Sequence, residues 1–162
     1  MTLVRRLQAH VPAPTRSSRA LWCGPYAVAV LGRTDYDTAF EDIRALLGVK
    51  RLQRMYGTDL MAALTRPGWY RVAAKETFRG RGVAPGMRSA DGTRRSDARP
   101  TFAAWLRTRD RKAVYLVILS HHFVVVAGDR VIDNQMLAWT SVAASKHRRT
   151  RVLAALRLEA QT

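Results

Sequence analysis

Trp22-Cys23-Gly24-Pro25-Tyr26-Ala27-Val28-Ala29-Val30-Leu31 is the stretch that decides how this chain is read. By composition Tyr26 to Leu31 suits a strand, yet the alanines and the preceding Cys-Gly-Pro favour a buried helix with proline in its first turn. Cys23 then stands at a helix N-terminus, where the positive end of the helix dipole favours the thiolate, the reactive form of cysteine. No other cysteine occurs in the chain. Far downstream lies Ser120-His121-His122-Phe123-Val124-Val125-Val126-Ala127-Gly128-Asp129-Arg130-Val131-Ile132-Asp133-Asn134, which offers histidine and then a carboxylate or amide on consecutive strands. A cysteine, a histidine and a polar group to orient the histidine are the parts of a cysteine nucleophile system.

Outward from these two segments the pattern is helices first and strands after. Residues 35 to 47 read as an amphipathic helix: Tyr36, Phe40, Ile43 and Leu47 recur at helical spacing, acids crowd the first turns and Gly48 follows as a stop. Thr58 is expected to cap a shorter helix with Leu60, Ala63 and Leu64 on its apolar stripe, ended by Pro67-Gly68. A short helix around Phe102 to Leu106 precedes strand candidates at Ala113 to Leu119, His122 to Ala127 and Arg130 to Asn134. The alternation of Val152, Ala154, Leu156 and Leu158 predicts a closing strand over 151 to 158. Residues 1 to 20, with Pro12, Pro14 and four arginines, read as an extended basic arm, and 79 to 100 as a flexible Arg/Gly-rich loop inside a single domain, 1 to 162.

Strand alternation places the downstream candidates. If Gly128 and Asp129 make a two-residue turn, Ala127 faces Arg130 and Val126 faces Val131, and Asp133 lies diagonal to His122 on one sheet face. Asn134 then falls on the face of His121 and Phe123, whereas a three-residue loop would set Asn134 opposite His122 instead. Asp133 is the preferred orienter with Asn134 as the alternate, and His121 is the alternate base on the opposite face. Chemically, imidazole takes the thiol proton, the ion pair holds a thiolate near neutral pH, and the orienter fixes the ring tautomer. Singly, each residue also suits a plain core or surface role. Their joint order favours the nucleophile.

Composition narrows the setting. A chain of 162 residues fits one domain that can bury roughly two-thirds of its unfolded surface. No run approaches the ~18 apolar residues of a membrane span, so a soluble protein without a secretion signal or membrane partner is expected. A lone cysteine excludes an internal disulfide and suits a reducing compartment. No Cys/His spacing of a metal site occurs, and Asp35, Asp37, Glu41 and Asp42 fit the dipole of a helix start, so neither metal nor cofactor is expected. Gly80 and Gly82 lack the following Lys-Ser and leading strand of a phosphate loop. The 28 basic residues, 24 of them arginine, outnumber 12 acidic ones for a net charge of +16. A GC-rich genome that favours arginine codons explains the arginine-to-lysine ratio somewhat better than selection for bidentate phosphate contacts, but it does not explain the excess, which leaves nucleic-acid contact open. Arg79, Arg81, Arg94, Arg95, Lys146, Arg148 and Arg149 are the candidate phosphate contacts, against the alternative of a solvated basic surface.

A family resemblance adds to this reading. Trp22-Cys23-Gly24-Pro25-Tyr26-Ala27 resembles the Cys-Gly-Pro-Ala start of the bacteriocin-processing, papain-like cysteine peptidases, and His122-Phe123-Val124-Val125-Val126 resembles their His-aromatic-Val-Val-Val strand. Asp133 matches their third triad member, and the layout is also similar to short papain-like proteins of tailed phages and prophages. The resemblance covers residues 22 to 31 and 113 to 135. It implies an α+β papain-like fold, with N-terminal helices packed on a small antiparallel C-terminal sheet, and a thiol hydrolase of phage or bacterial origin acting on a peptide or protein. The catalytic residues it implies are Cys23, His122 and Asp133. One departure stands out: these peptidases place a glutamine about six residues before the cysteine as oxyanion donor, and this chain has Ser17 there. Ser17, Ser18 or a backbone amide would have to serve. The alternative is a degenerate papain-fold protein that binds nucleic acid or phage particle proteins through its basic surface. Either reading places the chain in the cytoplasm of a bacterial host or packaged in a virion.

Overall fold

The protein is described by a computed structural model over residues 2–13, 21–52, 55–65, 69–78 and 99–161. Five helices are described: α1 (Leu3–Gln8), α2 (Cys23–Gly32), α3 (Tyr36–Leu47), α4 (Gly57–Leu64) and α5 (Phe102–Thr108). Six strands accompany them: β1 (Tyr70–Thr77), β2 (Val114–Leu119), β3 (His122–Ala127), β4 (Arg130–Ile132), β5 (Thr140–Ser141) and β6 (Val152–Ala160). All the strand pairs are antiparallel, in the order β1-β6-β2-β3-β4-β5. The architecture is α+β. Among the described residues no helix is long and apolar enough to cross a membrane.

Helix α2 forms where Cys-Gly-Pro suggested it. Pro25 lies in the first turn, where a missing N–H costs no intrahelical bond, and residues Gly24 to Leu31 are all buried. Helix α3 starts at its Asp35 cap, whose side chain accepts the Thr38 N–H at 2.8 Å, and ends at Gly48 in the left-handed conformation (φ 64°). Helix α4 begins one residue before Thr58: the Asp59 carboxylate accepts the Tyr56 N–H at 2.8 Å, so Tyr56 occupies the cap position expected for Thr58.

The sheet divides the core in two. On one face Leu116, Val125, Ala127, Ile132, Leu156 and Leu158 pack with α2, α3 and α4. On the other, Tyr115, Val117, Val124, Val126 and Val131 pack with Phe102, Trp105 and Leu106 of α5. The β3–β4 hairpin has the two-residue turn, with Ala127 opposite Arg130 and Val126 opposite Val131, and Gly128 at φ 61° supplies the positive φ that such a turn needs.

Three sequence expectations are corrected. Residues 3–8 are helix rather than extended arm, because Leu7 is fully buried and Gln8 Nε2 donates to the Ala127 carbonyl at 2.7 Å. Strand β6 does not close the sheet but lies inside it, between β1 and β2. The sheet is also not wholly C-terminal, since β1 comes from mid-chain and pairs along β6. Residues 14–20 and 79–98 lie outside the described residues, and with them the end of the arm and most of the Arg/Gly-rich loop.

Candidate active site

Cys23 opens α2, and the residues before it are tied down on two sides. The Trp22 N–H donates to Tyr36 Oη at 2.9 Å, and Asn134 Nδ2 donates to the Leu21 carbonyl at 2.6 Å. Trp22 also meets Phe40 edge-on, with ring centroids 6.5 Å apart. Gly24 is needed for close approach, because a Cβ there would sit 2.5 Å from Met55 Sδ. The thiol is thus delivered to the end of β3, where His122 begins the strand.

His122 shares the strand parity of Val124 and Val126, and Asp133 follows directly on β4. Asp133 Oδ2 lies 2.6 Å from His122 Nε2. His122 and the backbone N–H groups of Phe123 and Gly24 lie beside the Cys23 thiol and favour its ionised form. Since Nε2 is engaged by the carboxylate, Nδ1 is the ring nitrogen left to face the thiol. Asp133 is almost wholly buried, and its Oδ1 accepts the N–H of Gln135 at 2.9 Å and of Met136 at 2.7 Å.

The electrostatics follow from these contacts. Burial alone would raise the Cys23 pKa, but the hydrogen bond and charge of His122, with the N–H groups of Phe123 and Gly24, outweigh it and hold the thiol below its ordinary 9.0. Burial disfavours the His122 cation, yet the bonds to Asp133 and Cys23 and their charges lift its pKa to about 9. Burial also opposes charge on Asp133, and the donors His122, His147, Met136 and Gln135 reverse that and hold the carboxyl far below the usual range. Tyr26, on the inner side of α2, is pushed up to about 12 by burial and then by the negative charge of Asp133. A thiolate–imidazolium pair backed by an ionised carboxylate is the state these shifts favour.

Of the sequence candidates, Cys23, His122 and Asp133 come together. Asn134 does not orient the histidine; it staples the hairpin to Leu21, and its buried Oδ1 has no hydrogen-bond partner. His121 is no strand residue on the opposite face: it occupies the β2–β3 turn at φ 63° and lines the cleft beside Cys23, while Asp133 bonds His122. Ser17 and Ser18, the oxyanion candidates, lie outside the described residues, as do Arg79, Arg81, Arg94 and Arg95. Lys146, Arg148 and Arg149 are exposed in the turn before β6, with Arg148 donating to the Ala143 carbonyl at 2.9 Å.

Compared with protein-family models, curated proteins and solved structures, the chain matches none of them.

One residue of the site was not singled out from the sequence. His147, which lies between the candidate phosphate contacts Lys146 and Arg148, places its Nε2 2.5 Å from Asp133 Oδ2, with its ring centroid 4.7 Å from that of His122. Its place follows from a register that only the folded sheet supplies: Leu119 pairs with both His122 and Val152, so residues just before β6 fall near the start of β3. His122, Asp133 and His147 are also the described residues whose donor atoms cluster closely enough, within 4.8 Å, to suggest a cation. Their spacing fits hydrogen bonds better. Two ligands on one tetrahedral zinc stand ~3.3 Å apart for bonds of ~2.0 Å, whereas both nitrogens here lie 2.5–2.6 Å from a single oxygen.

The thiol opens onto a cleft of about 680 Å³ walled by Trp22, Met55, Tyr56, Ile118, Phe123 and Leu153. Among the described residues no acidic side chain lines it. Most of the described side chains that wall it are apolar.

Proposed function

We propose that the protein is a papain-like thiol hydrolase, a cysteine peptidase, with Cys23 as nucleophile, His122 as base and then acid, and Asp133 orienting His122. The observation that carries this reading is the convergence of a helix-terminal thiol and an imidazole lining one cleft, with a carboxylate 2.6 Å behind that imidazole. In the proposed reaction the Cys23 thiolate attacks the acyl carbon, and His122 Nδ1 gives its proton to the departing amine. His122 then takes a proton from water, which hydrolyses the thioester and restores the thiol. The backbone N–H of Cys23, in the first turn of α2, is the described candidate to face the oxyanion.

The test is alkylation of Cys23 by iodoacetamide at pH 6 to 7, where an ordinary thiol of pKa ~8.5 is mostly protonated. Labelling well above the rate of free cysteine, lost in His122→Ala, supports the reading; labelling no faster than free cysteine sinks it. Cleavage of a peptide library, abolished by Cys23→Ser, would separate a peptidase from other thiol acyl chemistry.

A second reading has its own observation. Arg107, Arg109, Arg111 and Arg148 line a cleft of about 230 Å³ that holds one acid, Asp129. Arg109 is committed to the carbonyls of Leu106 and Gly128, while Arg107 and Arg111 have no hydrogen-bond partner among the described residues. Guanidinium groups so arranged suit phosphate, which supports contact with nucleic acid or a phage nucleoprotein particle, in a bacterial host or its virion. Binding to DNA or RNA that weakens steeply with salt, and weakens further in Arg107→Glu/Arg111→Glu, is expected. Salt-indifferent binding removes this reading.

A further inference from the structure

Asp133 is bound by more donors than a histidine-orienting carboxylate requires. Its Oδ1 takes two backbone N–H groups, from Gln135 and Met136, and its Oδ2 takes the Nε2 of both His122 and His147, at 2.6 and 2.5 Å. An ionised carboxylate only accepts, so both Nε2 atoms carry hydrogen. His122 reaches on through its other nitrogen to Cys23. His147 touches the reacting side only through the carboxylate and the ring contact with His122.

His147 is itself held in place before any substrate arrives. Its N–H donates to the buried Ser145 Oγ at 3.2 Å, and its carbonyl accepts the Thr150 N–H at 2.8 Å. The same turn is fastened to α5, since the carbonyls of Arg148 and Thr150 accept the N–H groups of Ala103 and Phe102 at 3.0 and 2.8 Å. The side chain is almost wholly buried. A loop docked on α5 therefore delivers a ring to a carboxylate that belongs to the hairpin.

The geometry points to His147 as a positioning residue, whose Nε2–H pins Oδ2 of Asp133 in line with His122. This assignment rests on the thiol-hydrolase reading for its purpose. Its physical basis is the broad torsional well of an aspartate carboxylate about its last bond. The backbone donors hold Oδ1 alone, so without His147 the other oxygen has one anchor, and that anchor is the imidazole which must change charge during each turnover. A second fixed donor removes the freedom to tilt. The ionisable groups around the carboxylate are Cys23 and Tyr26 on α2, His122 on β3 and His147 itself.

Two readouts on one set of variants test this: the His122 imidazole titration followed by NMR, and the pH profile of Cys23 alkylation. In His147→Ala the His122 pKa falls by about one unit and alkylation at pH 6 slows ~10-fold, one unit being a factor of ten. His147→Gln, whose amide N–H can reach Oδ2, recovers most of both, and His147→Asn, whose shorter amide cannot, does not. An unshifted or upward-shifted His122 pKa in His147→Ala overturns the assignment, because His147 would then be inert or a competitor. Should His147→Ala fail to fold, equal behaviour of the Gln and Asn variants overturns it. A wild-type thiol no more reactive than free cysteine, with the His122 pKa still falling in His147→Ala, would remove the hydrolase reading and leave the positioning role standing.

Discussion

Replacing Asp133 by asparagine removes one negative charge from the site and leaves the shape nearly unchanged. The structure sets the size of the effect. His122 is lifted from an ordinary 6.5 to about 9 despite its burial, and 2.5 units correspond to about 3 kcal/mol favouring the imidazolium. An independent figure agrees: unit charges ~4 Å apart attract by about 4 kcal/mol at an effective dielectric of 20. The hydrogen bond to Asp133 lifts the imidazole more than Cys23 does. Its loss should therefore weaken the thiolate–imidazolium pair by roughly two units, or ~10²-fold. The direction is fixed by the thiol. Its pKa is depressed in the wild type, so the acid limb of the alkylation profile lies below that of free cysteine, and in Asp133→Asn it must move up towards the ordinary value. The assay is the second-order rate with iodoacetamide from pH 5 to 9.5, with the urea-unfolded protein as reference. A folded Asp133→Asn protein whose acid limb stays within half a unit of the wild type would refute the argument that this carboxylate charges the pair.

Stability offers further checks. A Cβ on Gly32 would lie 2.3 Å from the Trp69 ring, so Gly32→Ala should destabilise by about 1–3 kcal/mol in urea unfolding despite alanine's better helix propensity; an unchanged midpoint would contradict the packing of Trp69 on α2. Leu156 is fully buried at the centre of β6, and Leu156→Ala should cost about 2–5 kcal/mol by the same assay. Asp133 has a folded pKa below its unfolded one, so its contribution to stability is present above pH ~3.8 and lost as the pH falls further. The unfolding free energy of Asp133→Asn should accordingly fall less steeply than that of the wild type between pH 5 and 2.5. Parallel slopes would show that the carboxyl is not held ionised.

Much of this site was legible before folding was considered, because the signals were local. Proline just ahead of an alanine-bearing apolar run favours a helix start through backbone chemistry alone. The Asp35 cap and Gly48 stop bound α3 by backbone chemistry alone. Strand parity across a two-residue turn carries Asp133 to His122 without knowledge of any other element, and the observed pairing of Val126 with Val131 is the one that turn demands. Where local signals compete, the outcome shifted: His121 was placed on a strand face by alternation, but the β2–β3 connection needs two turn residues and takes it as one of them at φ 63°.

Residues joined only by long-range packing were not legible in the same way. Nothing near His147 distinguishes it from the basic residues around it until β6 enters the sheet interior and α5 clamps the preceding turn. Arg107, Arg109, Arg111 and Arg148 form one cleft only once α5 and the turn before β6 lie together. Likewise β1 became a strand through pairing with β6, and α1 a docked helix through Leu7 and Gln8. By itself the sequence favoured a helix that presents Cys23, narrowed the partner of His122 to Asp133 or Asn134 on a hairpin, and named the chemistry such a set can share, since caps, turns and alternation act between neighbours. Tertiary structure alone decided that the thiol meets the hairpin at all and that Asp133 is held by a second imidazole, because both depend on which distant surfaces bury each other.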